Sequence, residues 1–210
     1  MRSNTLMWSG WGTLAAALLL GAAIVSGYAE PPGLDRWWAD VVDAHVTGWM
    51  LSAAVVLDHV GGGWVGVLVI PVLVVVSLVL AGRWRGAVLA AATFVASAGV
   101  VQLLKQVYAR ARPDDMVVAS DFGSFPSGHT ANAATIAVVL YLLFPRVWVA
   151  VAGIAWTVAM ALSRTLLSVH WASDTLGGAL VGTSVALLLA AWALPWARTT
   201  SARTSSARPG

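Results

Sequence analysis

Cysteine is absent from the 210-residue chain, which excludes disulfides and thiolate metal sites and leaves no redox signature of compartment. Charge is almost as scarce. Asp, Glu, Lys and Arg together make up 10% of residues, against about 25% in an ordinary soluble domain. A conventional water-soluble globule of this size is therefore excluded. The formal charge is only +3, and the basic residues form no long run of the kind that tracks a phosphodiester backbone, so nucleic acid is not an expected partner. What the chain has in abundance is apolar surface: 59% of residues are hydrophobic and twelve are tryptophan. Tryptophan in that number suits the aromatic belts of a bilayer protein. Composition points to an integral membrane protein, and length to one domain.

Six apolar stretches, roughly 11–28, 64–81, 86–104, 130–144, 147–163 and 175–197, predict an all-α, polytopic bundle of six transmembrane helices. A span needs about 20 apolar residues, with a range of about 17–25. The fourth stretch is short of that and needs a turn from the residues before Thr130. The fifth is only just long enough. The first stretch also resembles a secretory signal, with Arg2, an apolar core and "GYA" before Glu30. Its length and weakly basic start favour a retained span. On either reading the chain emerges on the outer side at Glu30.

Between the first two stretches, Leu34, Trp37, Trp38, Val41, Val42 and Trp49 recur near helical spacing, with Asp35, Asp40 and Asp43 between them. That pattern predicts one or two amphipathic helices over 31–62, lying in the interface. "GGG" at 61–63 marks the break before the second span. Residues 1–197 thus read as a single membrane-embedded domain, and the basic, low-complexity 198–210 as a disordered cytoplasmic tail.

With the amino terminus inside, Arg2, Arg83, Arg85, Arg146, Arg198, Arg203 and Arg208 fall on one face, seven of the twelve basic residues. The positive-inside rule makes that face cytoplasmic and both termini with it. All nine acidic residues fall on the other face. Of the remaining basic residues, Arg36, Lys105, Arg110, Arg112 and Arg164, four lie at the outer ends of the third and fifth spans. They need a local explanation.

Three short segments supply one. In "KQVYARARP", Lys105 and Arg112 are two turns apart, and on a continuing helix ended by Pro113 they share a face. Two cations at a membrane surface suit an anion, and a guanidinium fork matches phosphate oxygens. Snorkelling toward lipid headgroups is the ordinary alternative. In "FPSGHT", Gly128 allows backbone to approach a ligand, a helix starting there would aim free N–H groups at an anion, Ser127 adds a hydroxyl and His129 can exchange a proton. A capped turn is the ordinary alternative. In "SRTLLSVHWASD", Asp174 is four residues after His170, so on a helix its carboxylate reaches the imidazole and frees the other ring nitrogen to attack or accept a proton. Arg164 offers another fork for phosphate. A structural His–Asp pair is the alternative there, but the three ordinary explanations would all have to hold at one membrane face.

The pattern K-x6-R-P, then P-S-G-H, then S-R-x5-H-x3-D resembles the signature of the type 2 phosphatidic acid phosphatase superfamily, the integral-membrane lipid phosphate phosphatases. Lys105/Arg112-Pro113, Pro126-Ser127-Gly128-His129 and Ser163-Arg164/His170/Asp174 match it without a gap or substitution. The motifs cover about twenty-five residues, and the six-span layout extends the likeness over most of the chain. The resemblance implies a metal-independent phosphatase with a phosphohistidine intermediate and no cofactor. It implies His170 as nucleophile, Asp174 as its orienting partner, and His129 as general acid and then base. Lys105, Arg112, Arg164, Ser127 and the Gly128 amide would hold the phosphoryl oxygens. The expected substrate is a membrane lipid phosphate met at the extracytoplasmic face of the cell membrane, with the bilayer as the only other partner and no obligatory protein partner. Polyprenyl diphosphate is the leading candidate, with phosphatidylglycerophosphate or phosphatidate as alternatives. A non-catalytic transporter or scaffold is the remote one, since no motif position is broken.

Other polar residues have plainer readings. Asp114, Asp115 and Asp121 read as a solvated loop, His45 and His59 as interfacial, and Arg110 as a headgroup contact. Trp37 and Trp38 read as an interface anchor.

Overall fold

Long runs without charge leave the backbone one way to satisfy its own polar groups in hydrocarbon, and the runs fold as helices. The computed structural model describes residues 3–27, 31–62 and 65–198. They form eight α-helices: α1 (Ser3–Gly27), α2 (Gly33–His45), α3 (Gly48–Gly61), α4 (Ile70–Leu80), α5 (Trp84–Tyr108), α6 (Gly128–Leu143), α7 (Val147–Leu166) and α8 (Ala172–Arg198). A π-helical turn, Val65–Val69, leads into α4. No strand occurs among the described residues. The residues expected to form the tail, beyond Arg198, and part of the possible cleavage site, Tyr28 to Glu30, lie outside the described residues.

The span count differs from the expectation of six. Four helices, α1, α5, α7 and α8, are long and apolar enough to cross a bilayer. The segment from α3 to α4 counts as a fifth only if its two halves, bent by 46°, are one broken span. At 1.5 Å per residue the 11-residue α4 is about 16 Å long, too short to cross a hydrocarbon core alone. The 16-residue α6 remains a short apolar helix. Residues 31–62 divide into two unlike helices. In α2 Asp35 and Val42 are buried while Leu34 and Trp37 are exposed, so burial does not follow polarity there. The apolar α3 packs against α7 and leads toward α4.

The core forms around α8, which packs against α1, α5 and α6. Leu142, Leu143, Ala186, Ala190 and Leu194 are buried between α6 and α8. These two helices approach closely because α8 carries glycine where they cross. A Cβ at Gly182 would collide with the Ala131 carbonyl oxygen, and one at Gly178 with the Ser127 carbonyl oxygen. Small residues allow close packing where hydrocarbon on both sides provides little drive for association. The Ser97 and Thr135 hydroxyls, 2.8 Å apart and buried, join α5 to α6. The α6–α8 crossing sets the start of α6 beside the start of α8, with Ser127 N–H donating to the Asp174 carbonyl at 2.9 Å.

Candidate active site

Tyr108 is the last residue of α5, and Ala109 follows in the left-handed region with φ 43°. Lys105 and Arg112 are therefore not on one continuous helix, as the sequence suggested. Pro113 does not end α5. The chain folds back instead, and the two cations meet through the loop. Lys105 Nζ and Arg112 Nη2 both donate to the Gly123 carbonyl, at 2.8 and 2.9 Å. Both also reach Asp121 Oδ1, at 3.0 and 2.6 Å. Asp121 is thus a partner of both cations, not only a member of a solvated loop. Burial alone would raise its pKa; Lys105 and Arg112 outweigh that and hold it below the usual carboxylate range.

The helix expected at "FPSGHT" starts where the sequence placed it, with Ser127 as N-cap and Gly128 as first residue of α6. Ser127 is fully buried and its hydroxyl accepts from Thr130 Oγ1 at 3.2 Å. Gly128 and His129 line a cavity of about 880 Å³ together with Lys105, Arg164 and His170. His129 packs onto Gly62, where any Cβ would overlap the imidazole.

His170 precedes α8 by two residues, so the pair with Asp174 is formed at a helix entry, not along a helix. Its Nδ1 lies 3.4 Å from Asp174 Oδ2, and Trp171 N–H donates to that same oxygen at 2.9 Å. On the other side of the ring, Arg112 Nη1 donates to His170 Nε2 at 3.2 Å. Arginine can only donate, so Nε2 carries the lone pair and Nδ1 the proton. Burial pushes the imidazole down to about 4, against the pull of Asp174 in the other direction. At neutral pH the ring is uncharged, with a nucleophilic nitrogen beside a cation.

Arg164, at the end of α7, is 1% exposed. Its Nη1 pairs with Asp58 Oδ1, while Nε and Nη2 have no hydrogen-bond acceptor. Donors buried without a partner cost about 1–3 kcal/mol each, and on a cavity wall they suit an anionic ligand. Asp58 Oδ1 also lies 3.1 Å from His129 Nε2. The sequence reading gave Asp58 no role. Its signal was one carboxylate in an otherwise apolar run, which is expensive in a membrane and so seldom idle.

Lys105, Gly128, His129, Arg164 and His170 therefore face one cavity, Arg112 touches His170, and Ser127 and Asp174 stand behind the wall. Arg110 is also buried and does not reach for headgroups; it pairs with Asp35 and Asp174. His45 and His59 each bond a carbonyl of their own helix, at 2.8 Å, away from the cavity. Among the described residues no group of three or more carboxylates and imidazoles is arranged to hold a metal ion.

The PAP2 superfamily profile matches residues 86–198, more than half of the chain and all three motifs. The protein belongs to the PAP2 superfamily. Its relatives include the decaprenylphosphoryl-5-phosphoribose phosphatase of Mycobacterium tuberculosis, 33% identical over 67% of this chain and 78% of that protein. The lipid A 1-phosphatase of Rhizobium johnstonii is 35% identical over 51% of this chain and 47% of that protein. The undecaprenyl-diphosphatase of Sulfolobus acidocaldarius is 33% identical over 46% and 50%. The chain aligns to half or less of the lipid A 1-phosphatases that it matches. The crystal structure of a PAP2-type phosphatidylglycerolphosphate phosphatase from Bacillus subtilis has the same fold. Its TM-score is 0.76 at 24% identity, covering 87% of this chain and 94% of that one.

Proposed function

We propose that this PAP2 protein hydrolyses a phosphate ester or diphosphate of a membrane lipid through a phosphohistidine intermediate. The observation that carries the reading is the cavity wall itself. Arg164 donors without acceptors, Lys105, the Gly128 amide end of α6 and an uncharged His170 all border one space. Phosphoryl transfer asks mainly for positioning and for neutralisation of charge on the equatorial oxygens. Lys105, Arg112 and Arg164 supply that charge without calling on a metal.

In the first step His170 Nε2 attacks phosphorus, the P–O bond to the lipid breaks, and His129 gives its proton to the leaving oxygen. In the second step water attacks the phosphohistidine, His129 takes its proton, the P–N bond breaks and inorganic phosphate leaves. Arg112 swings from Nε2 to the phosphoryl oxygens as the nitrogen is used. Asp174 keeps Nδ1–H in place and balances the positive ring that forms.

The rest of the cavity favours a lipid. Val72, Val75, Phe94, Val95 and Val101 from α4 and α5 line it below the cations, an apolar path for a tail whose phosphate stays at headgroup depth. Two relatives named for polyprenyl-linked substrates favour a polyprenyl lipid, and the undecaprenyl-diphosphatase among them favours the diphosphate. The outward orientation is supported by the opposite end of the bundle. There Arg83 and Arg198 donate to the Leu143 and Leu142 carbonyls, at 3.2 and 3.0 Å. Basic residues gathered at the end away from the site favour that end as the cytoplasmic one.

The test is phosphate release by purified protein in detergent from polyprenyl diphosphate, polyprenyl phosphate, phosphatidylglycerophosphate, phosphatidate and a soluble phosphate ester. Release from at least one lipid, fastest for polyprenyl diphosphate, is expected. Release from none of the lipids would overturn the reading. Labelling of a cysteine placed near Ser124 from the outer side alone tests the orientation.

A further inference from the structure

Behind the nucleophile lies a second charged group that the three motifs do not contain. Asp35 of α2 and Arg110 of the loop after α5 are 1% and 9% exposed. Arg110 Nη2 donates to Asp35 Oδ2 at 2.7 Å, and Arg110 Nη1 pairs with Asp174 Oδ1. Ser173 ties the two ends together. Its N–H donates to Asp35 Oδ1 at 2.9 Å, its hydroxyl donates to Asp35 Oδ2 at 2.6 Å, and it accepts from Arg110 Nη1 at 2.8 Å. Asp35 thereby satisfies an N–H in the first turn of α8 that has no partner within the helix. Arg110 also lies over the Trp171 ring, 5.7 Å from its centroid.

Both oxygens of Asp174 are consequently engaged. Oδ2 faces His170 Nδ1 and accepts from Trp171 N–H, while Oδ1 is held by Arg110. Arg110 itself does not line the cavity, and both its Nη atoms are held by carboxylates. A cation in the middle of the Lys105–Arg112 segment is therefore turned away from phosphate and toward the carboxylate that orients the nucleophile.

We propose that Asp35 and Arg110 are positioning residues for the phosphoryl transfer, acting on His170 through Asp174. The inference rests on His170 as the nucleophile. Charge balance gives each residue a separate task. Arg110 fixes the rotamer of Asp174, which has no freedom once Oδ1 is clamped. Left alone with Asp174, however, its full charge would cancel the carboxylate that must balance the imidazolium formed on phosphorylation. Asp35 neutralises that excess. The three groups carry a net single negative charge, the value Asp174 would bring alone, but in one fixed orientation. Helix α2, expected from the sequence only to lie in the interface, thus contributes to the chemistry.

The experiment compares wild type, Asp35→Asn, Arg110→Lys, Arg110→Gln, the Asp35→Asn/Arg110→Gln double variant and Asp40→Asn, an exposed control on α2. Each is purified in detergent and assayed on the lipid phosphates of the panel above, with melting followed alongside. Asp35→Asn keeps the shape of the side chain and is expected to lower kcat by about 10–100-fold, the scale on which metal-bound imidazoles respond to loss of an outer hydrogen-bond partner. KM should stay within about twofold, because no group that holds phosphate has changed. Arg110→Gln should lose more than Arg110→Lys, which keeps the charge. The double variant restores the net charge and should lose less than the product of the single losses. Asp40→Asn should match wild type. Wild-type kcat in Asp35→Asn, a loss confined to KM, or a lowered melting temperature with unchanged kcat would each overturn the inference, the last by showing that the cluster only fastens α2 to α8. Wild-type protein that hydrolyses none of the lipids would overturn the phosphatase reading itself, and this inference with it.

Discussion

Arg112 Nη1 donates to His170 Nε2 at 3.2 Å, so the nitrogen assigned to attack phosphorus is held by a cation assigned to bind the phosphate. The same guanidinium holds Asp121, and in the proposed mechanism it leaves the ring when phosphate arrives. The imidazole stays unprotonated at Nε2 because a donor faces that nitrogen.

Replacing His170 by Ala is expected to abolish phosphate release by at least about 10³-fold, a loss of the size seen when a covalent nucleophile is removed. Acid-labile phosphate on the wild-type protein, trapped during turnover and missing from His170→Ala, is the accompanying observation. Near-normal turnover of the purified variant would sink the assignment.

The acid behaviour of the fold follows from the same residue. Burial lowers the His170 imidazole from its ordinary 6.5 to about 4. Between those values the unfolded chain binds a proton that the folded ring refuses. The stabilisation is complete above pH 6.5 and is lost as pH falls toward 4, by about 3 kcal/mol over that window. Melting of wild type and His170→Asn in detergent between pH 7 and 4 measures the imidazole together with its coupled partner Asp174, since carboxylates remote from His170 cancel in the difference. A steeper fall for wild type is expected; parallel curves would contradict the buried neutral imidazole.

How much of this could be read beforehand depended on whether a contact was local in sequence. The start of α6 at Gly128 was legible because proline, serine and glycine fix a helix entry within a few residues. The His170–Asp174 pair was legible for the same reason, although His170 lies outside α8. Helical spacing misplaces Lys105 and Arg112 relative to each other, because it runs on through Ala109, whose left-handed backbone ends α5. Sequence alone makes Arg110 a headgroup contact and Asp35 a polar position of an interfacial helix. Each is 75 positions from the other, and a lone charge in a boundary segment gives no hint that its partner lies on another helix. Asp58, 106 positions from Arg164, is hidden in the sequence for the same reason. The two remaining apolar stretches fall short for different reasons: 64–81 yields only the 11-residue α4 after a π-helical turn, whereas 130–144 is short from the start, and α6 reaches 16 residues only by beginning at Gly128.

Gly62→Ala should abolish the proposed phosphate release without unfolding the protein. A methyl group there would overlap the His129 imidazole, which must turn away from the cavity. The residue lies at the end of α3, where displacement of one side chain costs less than a core collision. The expected loss is about 10²–10⁴-fold in kcat, the contribution of a general acid, with melting close to wild type. Full activity in Gly62→Ala would mean that His129 is not needed in the orientation it holds.

Gly182→Val acts on the scaffold. Its side chain would press on the Ala131 carbonyl oxygen and separate α6 from α8. Overpacking of this kind costs about 1–3 kcal/mol, and it should lower both melting temperature and activity, since Gly128 and Asp174 lie on the two helices forced apart. An unchanged melting temperature would show that the crossing has slack.

Activity is expected to persist in excess EDTA. Lys105, Arg112 and Arg164 meet at His170 and the cavity beside it, and three guanidinium or ammonium groups can balance the oxygens of a phosphoryl group through charge-assisted hydrogen bonds. Removing one of them should then be costly in a way that added magnesium does not mend. Arg164→Lys keeps the charge but loses the fork, including Nε, and should lower kcat/KM by about 10-fold or more, given that such bonds contribute about 1.5–3 kcal/mol. Turnover measured in EDTA, then with magnesium restored, for wild type and Arg164→Lys decides the point. Complete loss in EDTA with recovery on magnesium would mean that the three cations are not the principal neutralising charge.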